Sequence, residues 1–282
     1  MSIVLSSPSR AAAPDGADPE ITKLVPAEIR KAGVLVVGTE AANAPFESVD
    51  PVTNKIVGFD ADMALDIGKL LGLRVELVNS SFDSLIPSIT SGKYNVAIST
   101  IGDTREREAV VDFVTYYWNS TSLLVPKGNP KRLSKDSLCK ARIGVQRGSL
   151  QQNLILPELM VHCPPGDEEL KKGVVFKTNP DAVLALASGR IDGMINDTIP
   201  VQFAAEKSNG QFQVVGPLMR NKNPGGIALR KDSGLQQAVL AAVKKLMASG
   251  QYRKNLEKWH LLSIAIDDPV INWNSHQNGA GK

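Results

Sequence analysis

Ten residues of this chain recur in the same chemical order, and that repetition constrains the fold more than any single motif. Ser91-Gly92-Lys93-Tyr94-Asn95-Val96-Ala97-Ile98-Ser99-Thr100 is echoed by Ser188-Gly189-Arg190-Ile191-Asp192-Gly193-Met194-Ile195-Asn196-Asp197. Each copy follows an apolar, helix-like segment. In each, Gly ends a helix, a basic residue turns the chain, and an apolar strand delivers polar groups at its C-terminal end. Thr100 and Asp197 occupy matching places. Ligands of open α/β sheets gather at the carboxyl ends of strands, so two units built this way would each offer half of a site.

The first copy runs on into a polar turn and a helix start. Ser99 and Thr100 supply hydroxyls, and Gly102 supplies backbone that a ligand can approach closely. Either Asp103 or Thr104 can cap the following helix, which places Arg107 in its first turn, beside free N–H groups and the positive end of the macrodipole. A guanidinium is unfavourable there unless an anion faces it. Two readings are open at this point: Arg107 pairs with Glu106, Glu108 or Asp112 at a solvated helix end, or it receives a ligand anion. Asp197 is open in the same way, as the cap of a helix Thr198–Lys207 or as the partner of a ligand cation. Arg107 suits a carboxylate and Asp197 an ammonium, so together they match an α-amino acid zwitterion.

A length of 282 residues suggests about two domains, and 43% hydrophobic with 22% charged residues is ordinary globular composition. The net charge of +3 is spread along the chain, which gives no reason to expect nucleic acid as a partner. No run approaches the ~18 apolar residues of a membrane span. His162, His260 and His276 fall in no metal-binding spacing, and no Walker A, G-x-S-x-G or G-x-G-x-x-G motif occurs, so neither a metal nor a cofactor is expected. Cys139 and Cys163 are either two free thiols or one bridge.

Taken in order, residues 1–27, rich in Ala, Pro, Ser and Asp, read as disordered, and the tail 267–282 as a loose end. Gly33–Gly38 reads as a first strand. Asp60 is a plausible cap for a helix in which Met63, Ile67 and Leu70 or Leu71 recur before Gly72. Arg74–Val78 reads as a second strand, and Phe82 opens a helix through Ser91, where it can staple onto that helix. Val114–Pro126 favours extended structure and makes the first crossing between lobes, with Trp118 packed at the hinge. Ile143–Gln146 reads as a strand, and Arg147-Gly148-Ser149 precedes a helix from about Leu150 whose first N–H groups favour an anion. Pro157–Gly166 reads as a loop. Asn179-Pro180 starts a helix with Asn as cap, Asn221–Asn223 carries the return crossing, and Ser233–Ser249 is helical.

The chain resembles the amino-acid-type solute-binding proteins of ABC importers. The likeness is carried by Gly38–Glu47 (GTEAANAPFE), Val57–Gly72, Phe82–Thr100, Asp103–Phe113 (DTREREAVVDF), Ile143–Ser149 (IGVQRGS), Ala187–Asp197, Gly225–Asp232 and Tyr252–Trp259, in the family's order. The resemblance implies an α/β protein of the two-lobed, type II periplasmic-binding-protein kind, each lobe a mixed sheet flanked by helices, joined by a two-segment hinge. Residues 28–119 plus 222–266 would form lobe one, and 120–221 lobe two. Arg107, Asp197, Thr100, Ser99, Gly102, Phe82, Glu40, Asn43, Ser149 and Leu150 would meet the ligand. Asn43 stands where the family often has an aromatic, and Leu150 where it often has threonine. Glu40, solvated or facing the ligand, hints at a polar or cationic amino acid. The expected function is capture of that amino acid and delivery to a transmembrane permease by flytrap-like closure, by an exported monomer that is periplasmic or otherwise extracytoplasmic and membrane-associated, with its signal removed. Export favours a Cys139–Cys163 bridge. The alternative is an arogenate- or prephenate-type dehydratase on the same scaffold, with Glu40 as its general acid.

Overall fold

The computed structural model describes residues 15–164, 172–220 and 223–279. Residues 1–14, the end of the expected Pro157–Gly166 loop, and Asn221 with its neighbour in the expected return crossing lie outside the described residues; the start of that loop is instead helical, Leu156–Leu159, because Pro157 sits in the first turn, where its missing N–H costs nothing.

Two five-stranded sheets organise the chain. Its strands are β1 (Val34–Thr39), β2 (Ala42–Asn43), β3 (Glu47–Val49), β4 (Ile56–Val57), β5 (Arg74–Asn79), β6 (Val96–Ala97), β7 (Val111–Tyr117), β8 (Ser120–Pro126), β9 (Ile143–Gln146), β10 (Val174–Phe176), β11 (Gly193–Asp197), β12 (Phe212–Arg220) and β13 (Gly225–Arg230). The first sheet runs β5-β1-β6-β13-β7 and the second β10-β9-β11-β8-β12; β2, β3 and β4 form a small third sheet. In each large sheet three strands are parallel, and a fourth, β13 or β8, enters antiparallel from the other half of the chain. This shared order is the tertiary form of the sequence repeat: β6 ends just before Thr100, and β11 ends on Asp197.

Lobe one buries its helix Phe59–Leu71 through a stripe at four-residue spacing: Phe59, Met63, Ile67 and Leu71 are all 0 to 1% exposed. Each such side chain contributes about 1.5–3 kcal/mol of burial. Gly72 ends the helix in the left-handed conformation, φ 71°, where a Cβ would be strained. The cap is Gly58, not Asp60, because the Asp60 carboxylate is turned inward to the Thr100 N–H (3.0 Å) and the Tyr116 hydroxyl (2.8 Å). Phe59 stacks on Tyr116 with ring centroids 5.9 Å apart. In lobe two, Cys139 and Cys163 form a disulfide beside the cluster around Leu156, Met160 and Ile143.

Both expected loose ends need correction. Within 1–27, Pro19–Leu24 is a helix capped by the Asp18 side chain, with Ile21 buried against lobe one. The tail is docked as well. Val270 exchanges hydrogen bonds with Thr115 along the edge of β7, Trp273 meets Trp118 edge to face at 5.0 Å, and Trp273–Gly279 is helical. The N–H groups of Trp273 and Asn274 donate to the carboxylates of Asp103 and Glu108 at 2.8 Å each. Asparagine, glycine and histidine read as a loose end, but the segment's few apolar residues find a sheet edge and a hinge tryptophan to cover.

Candidate functional site

The carboxyl ends of β6, β9 and β11 face one another, and a small cavity of about 20 Å³ lies between them. Of the residues expected from sequence, Arg107, Asp197, Thr100, Gly102, Phe82, Asn43, Ser149 and Leu150 line it. Glu40 and Ser99 stand behind it. Glu40 is buried and accepts a 2.6 Å bond from Gln146 Nε2, so Gln146 lies at the cavity wall in its place. Ser99 donates to Glu47 (2.9 Å) and accepts from the Glu40 N–H (2.9 Å), which ties the loop after β1 to β6.

Arg107 is reached from the four-residue helix Arg105–Glu108, capped by the Thr104 hydroxyl. Among the described residues it pairs with none of the neighbouring carboxylates. Its guanidinium donates to Gly102 O (2.8 Å) in lobe one and Gly148 O (2.9 Å) in lobe two, and lies over the Phe82 ring at 5.9 Å. Phe82 is therefore a wall of the site. Two of the five guanidinium donors are engaged, leaving three. Burial lowers the Arg107 pKa, and the nearby Asp197 carboxylate opposes that.

Asp197 begins the helix Thr198–Lys207, yet its side chain makes no cap hydrogen bond. It accepts instead from Gln151 Nε2 at 2.6 Å. Burial pushes this carboxyl up to about 6, against the pull of Asn119, Gln151 and the Arg107 charge. A cation and an anion from opposite lobes thus line the same small space. Thr100 sits at φ 48°, left-handed for a β-branched residue, and is held there by Asp60 at its N–H and Asn43 Nδ2 at its hydroxyl (3.0 Å). Such backbone costs of order 1–3 kcal/mol and persists only where the surroundings over-determine it.

After β9 the chain turns through Gly148 at φ 74° into a π-helical turn, Gln151–Ile155, instead of the regular helix expected from Leu150. The Gly148 N–H is taken by Gln152 (2.7 Å) and the Gln152 N–H by the Ser149 hydroxyl (3.1 Å). Leu150 reaches across to Gly102, where a Cβ would lie 3.5 Å from its methyl group. The cap of the helix Asn179–Ala187 is Thr178, one residue before the expected Asn179. That shift frees Asn179 to donate to Asn43 Oδ1 (3.0 Å) across the lobes.

Sequence reasoning missed Asn119, Gln146, Gln151, Asn179, Asn196 and Asn223, all of which line the cavity. Gln146 and Asn196 were within reach, since each stands at the carboxyl end of an apolar strand, the position that identified Thr100 and Asp197. Three buried atoms here have no partner among the described residues: Glu40 Oε1, Asn179 Oδ1 and Asn196 Nδ2. Burial pushes the Glu40 carboxyl up to about 7.

The model of the bacterial extracellular solute-binding proteins, family 3, matches residues 35–262. A putative ABC transporter arginine-binding protein 2 of Escherichia coli K12 is 34% identical over 229 residues, 78% of this chain and 88% of that protein. Among solved structures, an ancestral arginine-binding protein bound to arginine is 33% identical, with a TM-score of 0.73 over 80% of this chain and 98% of the other. An ancestral amino acid-binding protein, described as a precursor of cyclohexadienyl dehydratase, is 32% identical, with a TM-score of 0.72 over 82% of this chain and 97% of the other. With its fold, its repeated strand ends and a family match over most of its length, the chain belongs to the bacterial extracellular solute-binding proteins, family 3.

Proposed function

We propose that this protein captures an α-amino acid, with a polar or cationic side chain favoured, between its lobes outside the cytoplasm, and that the closed form delivers it to the permease of an ABC importer. The observation that carries this reading is that Arg107 of lobe one and Asp197 of lobe two line one enclosed cavity. The free donors of Arg107 pair with the α-carboxylate, and Asp197 with Thr100 takes the α-ammonium. Charge-assisted bonds contribute about 1.5–3 kcal/mol each, enough for micromolar binding after ordering costs. Because the two charges belong to different lobes, only closure satisfies both, and ligand shifts the equilibrium toward the closed form. Among the described residues, no helix is long and apolar enough to cross a membrane.

Isothermal calorimetry of the purified chain against arginine, lysine, histidine and glutamine tests the reading. Arg107→Ala is expected to cost about 2–5 kcal/mol of affinity, the loss typical of truncating a buried hydrogen-bonded charge, with the melting temperature little changed. Undiminished binding would remove Arg107 from the site. The dehydratase alternative needs a general acid against the substrate. Glu40 has the raised pKa for it but stands behind Gln146, so the binding reading is favoured, and turnover assays on arogenate and prephenate distinguish the two.

A further inference from the structure

The clamp cavity, about 20 Å³, is smaller here than an amino-acid head, so the lobes must part further to hold one. It shares three residues, Asn43, Asn179 and Asn196, with a much larger groove of about 380 Å³ on lobe two. That groove is lined by the helices Asn179–Ala187 and Thr198–Lys207, by Leu124 and Met194 of the sheet, and by Ala42 and Ala44 of lobe one. Its walls, among them Val183, Pro200, Val201 and Phe203, are almost wholly apolar. A volume of that size falls within the ordinary range of small-molecule sites, about 300–1,000 Å³.

The boundary between the two spaces is polar and incompletely paired. Asn43 and Asn179 hydrogen-bond to each other across the lobes, but Asn179 Oδ1 and Asn196 Nδ2 have no partner among the described residues, and both residues are over nine-tenths buried. One is an acceptor and the other a donor, the pattern that an amide group answers with its own N–H and C=O. Met194 and Asn196 alternate along β11, so the strand that presents the polar gate also floors the apolar groove.

We propose that the groove is the second half of the ligand site: it receives the apolar arm of an amino acid whose side chain carries an amide-like linker, so that the head is held by the clamp, the linker by Asn179 and Asn196, and the arm by the groove. This rests on the clamp reading above and names the ligand class within it.

Calorimetry on the whole chain at pH 7.5 with L-arginine, L-lysine and the Nε-acetyl, Nε-butanoyl and Nε-hexanoyl derivatives of L-lysine tests it. The acylated series is expected to bind more tightly with length, about fourfold for each buried methylene. Ala204→Phe, which fills the groove, should erase the increments, with a thermal melt confirming that the variant is folded. An acyl series of flat affinity in the wild type, or increments that survive Ala204→Phe, overturns the inference while arginine or lysine binding leaves the clamp standing. If neither the free amino acids nor the derivatives bind, the clamp reading fails and this inference fails with it. If Ala204→Phe keeps the full acyl-length dependence but loses uptake through an importer, the groove belongs to a protein partner, against the proposal.

Discussion

Asp197 shows how a side chain that looks like a helix cap becomes a charge held ready for a ligand. It opens a ten-residue helix without bonding its backbone, and burial raises its carboxyl to about 6. An ammonium binds the ionised form, so affinity for arginine or lysine should be constant above about pH 7 and fall below about 6, toward tenfold per pH unit. Calorimetry from pH 5 to 8 checks this. Asp197→Asn should bind more weakly at pH 7.5 and lose the acid-side slope. Since the Asp197 side chain makes no cap bond, its replacement should leave the melting temperature nearly unchanged. The Gly102–Leu150 contact is equally a matter of single residues: a Cβ at 102 would meet the Leu150 methyl at 3.5 Å, an ordinary contact, so Gly102→Ala should leave stability nearly unchanged.

Among the elements, the C-terminal segment has a role that its composition conceals. It lies beyond the family match, which ends at 262, and its backbone donors reach Asp103, just before the short helix bearing Arg107, and Glu108, the last residue of that helix. Four residues of helix cannot hold a guanidinium in place unaided. Removing residues 269–282 would forfeit those hydrogen bonds, each worth about 0.5–1.5 kcal/mol. The truncated chain is expected to melt lower and to bind its amino acid more weakly, whereas Trp273→Ala should lower stability with a smaller effect on affinity. Thermal melts with parallel titrations separate the two. The disulfide is a second element-scale device: Cys139 and Cys163 are 24 residues apart, and a loop of that size is worth about 3 kcal/mol by loop-closure entropy. The double alanine variant should lose about that much in denaturant unfolding.

At the scale of the whole molecule, the interior of the cleft and of lobe one is acidic. Burial raises Glu40 to about 7, Asp60 to about 6, Asp103 to about 8 and Glu47 well above its ordinary value. Each binds a proton more readily folded than unfolded, so the unfolding free energy should fall as pH rises from about 5 to above 8. Asp192, drawn down to about 2 by Arg142 and Lys131 despite its burial, acts oppositely, and its contribution is lost only in strong acid. A melting temperature higher at pH 5.5 than at 8.5 is the expected result; the reverse would show that these acids are paired with cations when folded. Ligand at a hundredfold excess over Kd should add about 2.7 kcal/mol on top.

The amino-acid sequence alone determined the two α/β units, the places where their strands end, and the two charges waiting there, because strand alternation, helix stops and cap residues are short-range physics repeated visibly at 91–100 and 188–197. The Asn and Gln residues of the cavity, the position of Glu40 behind Gln146, the docked tail and the apolar groove were decided only by tertiary structure. An amide side chain is equally at home in solvent or at a buried gate, and an apolar helix face reads the same whether a neighbour covers it or stands a few ångströms away. What separates those cases is the packing of lobe on lobe, which joins residues such as Asn43 and Asn179 across 136 positions of sequence.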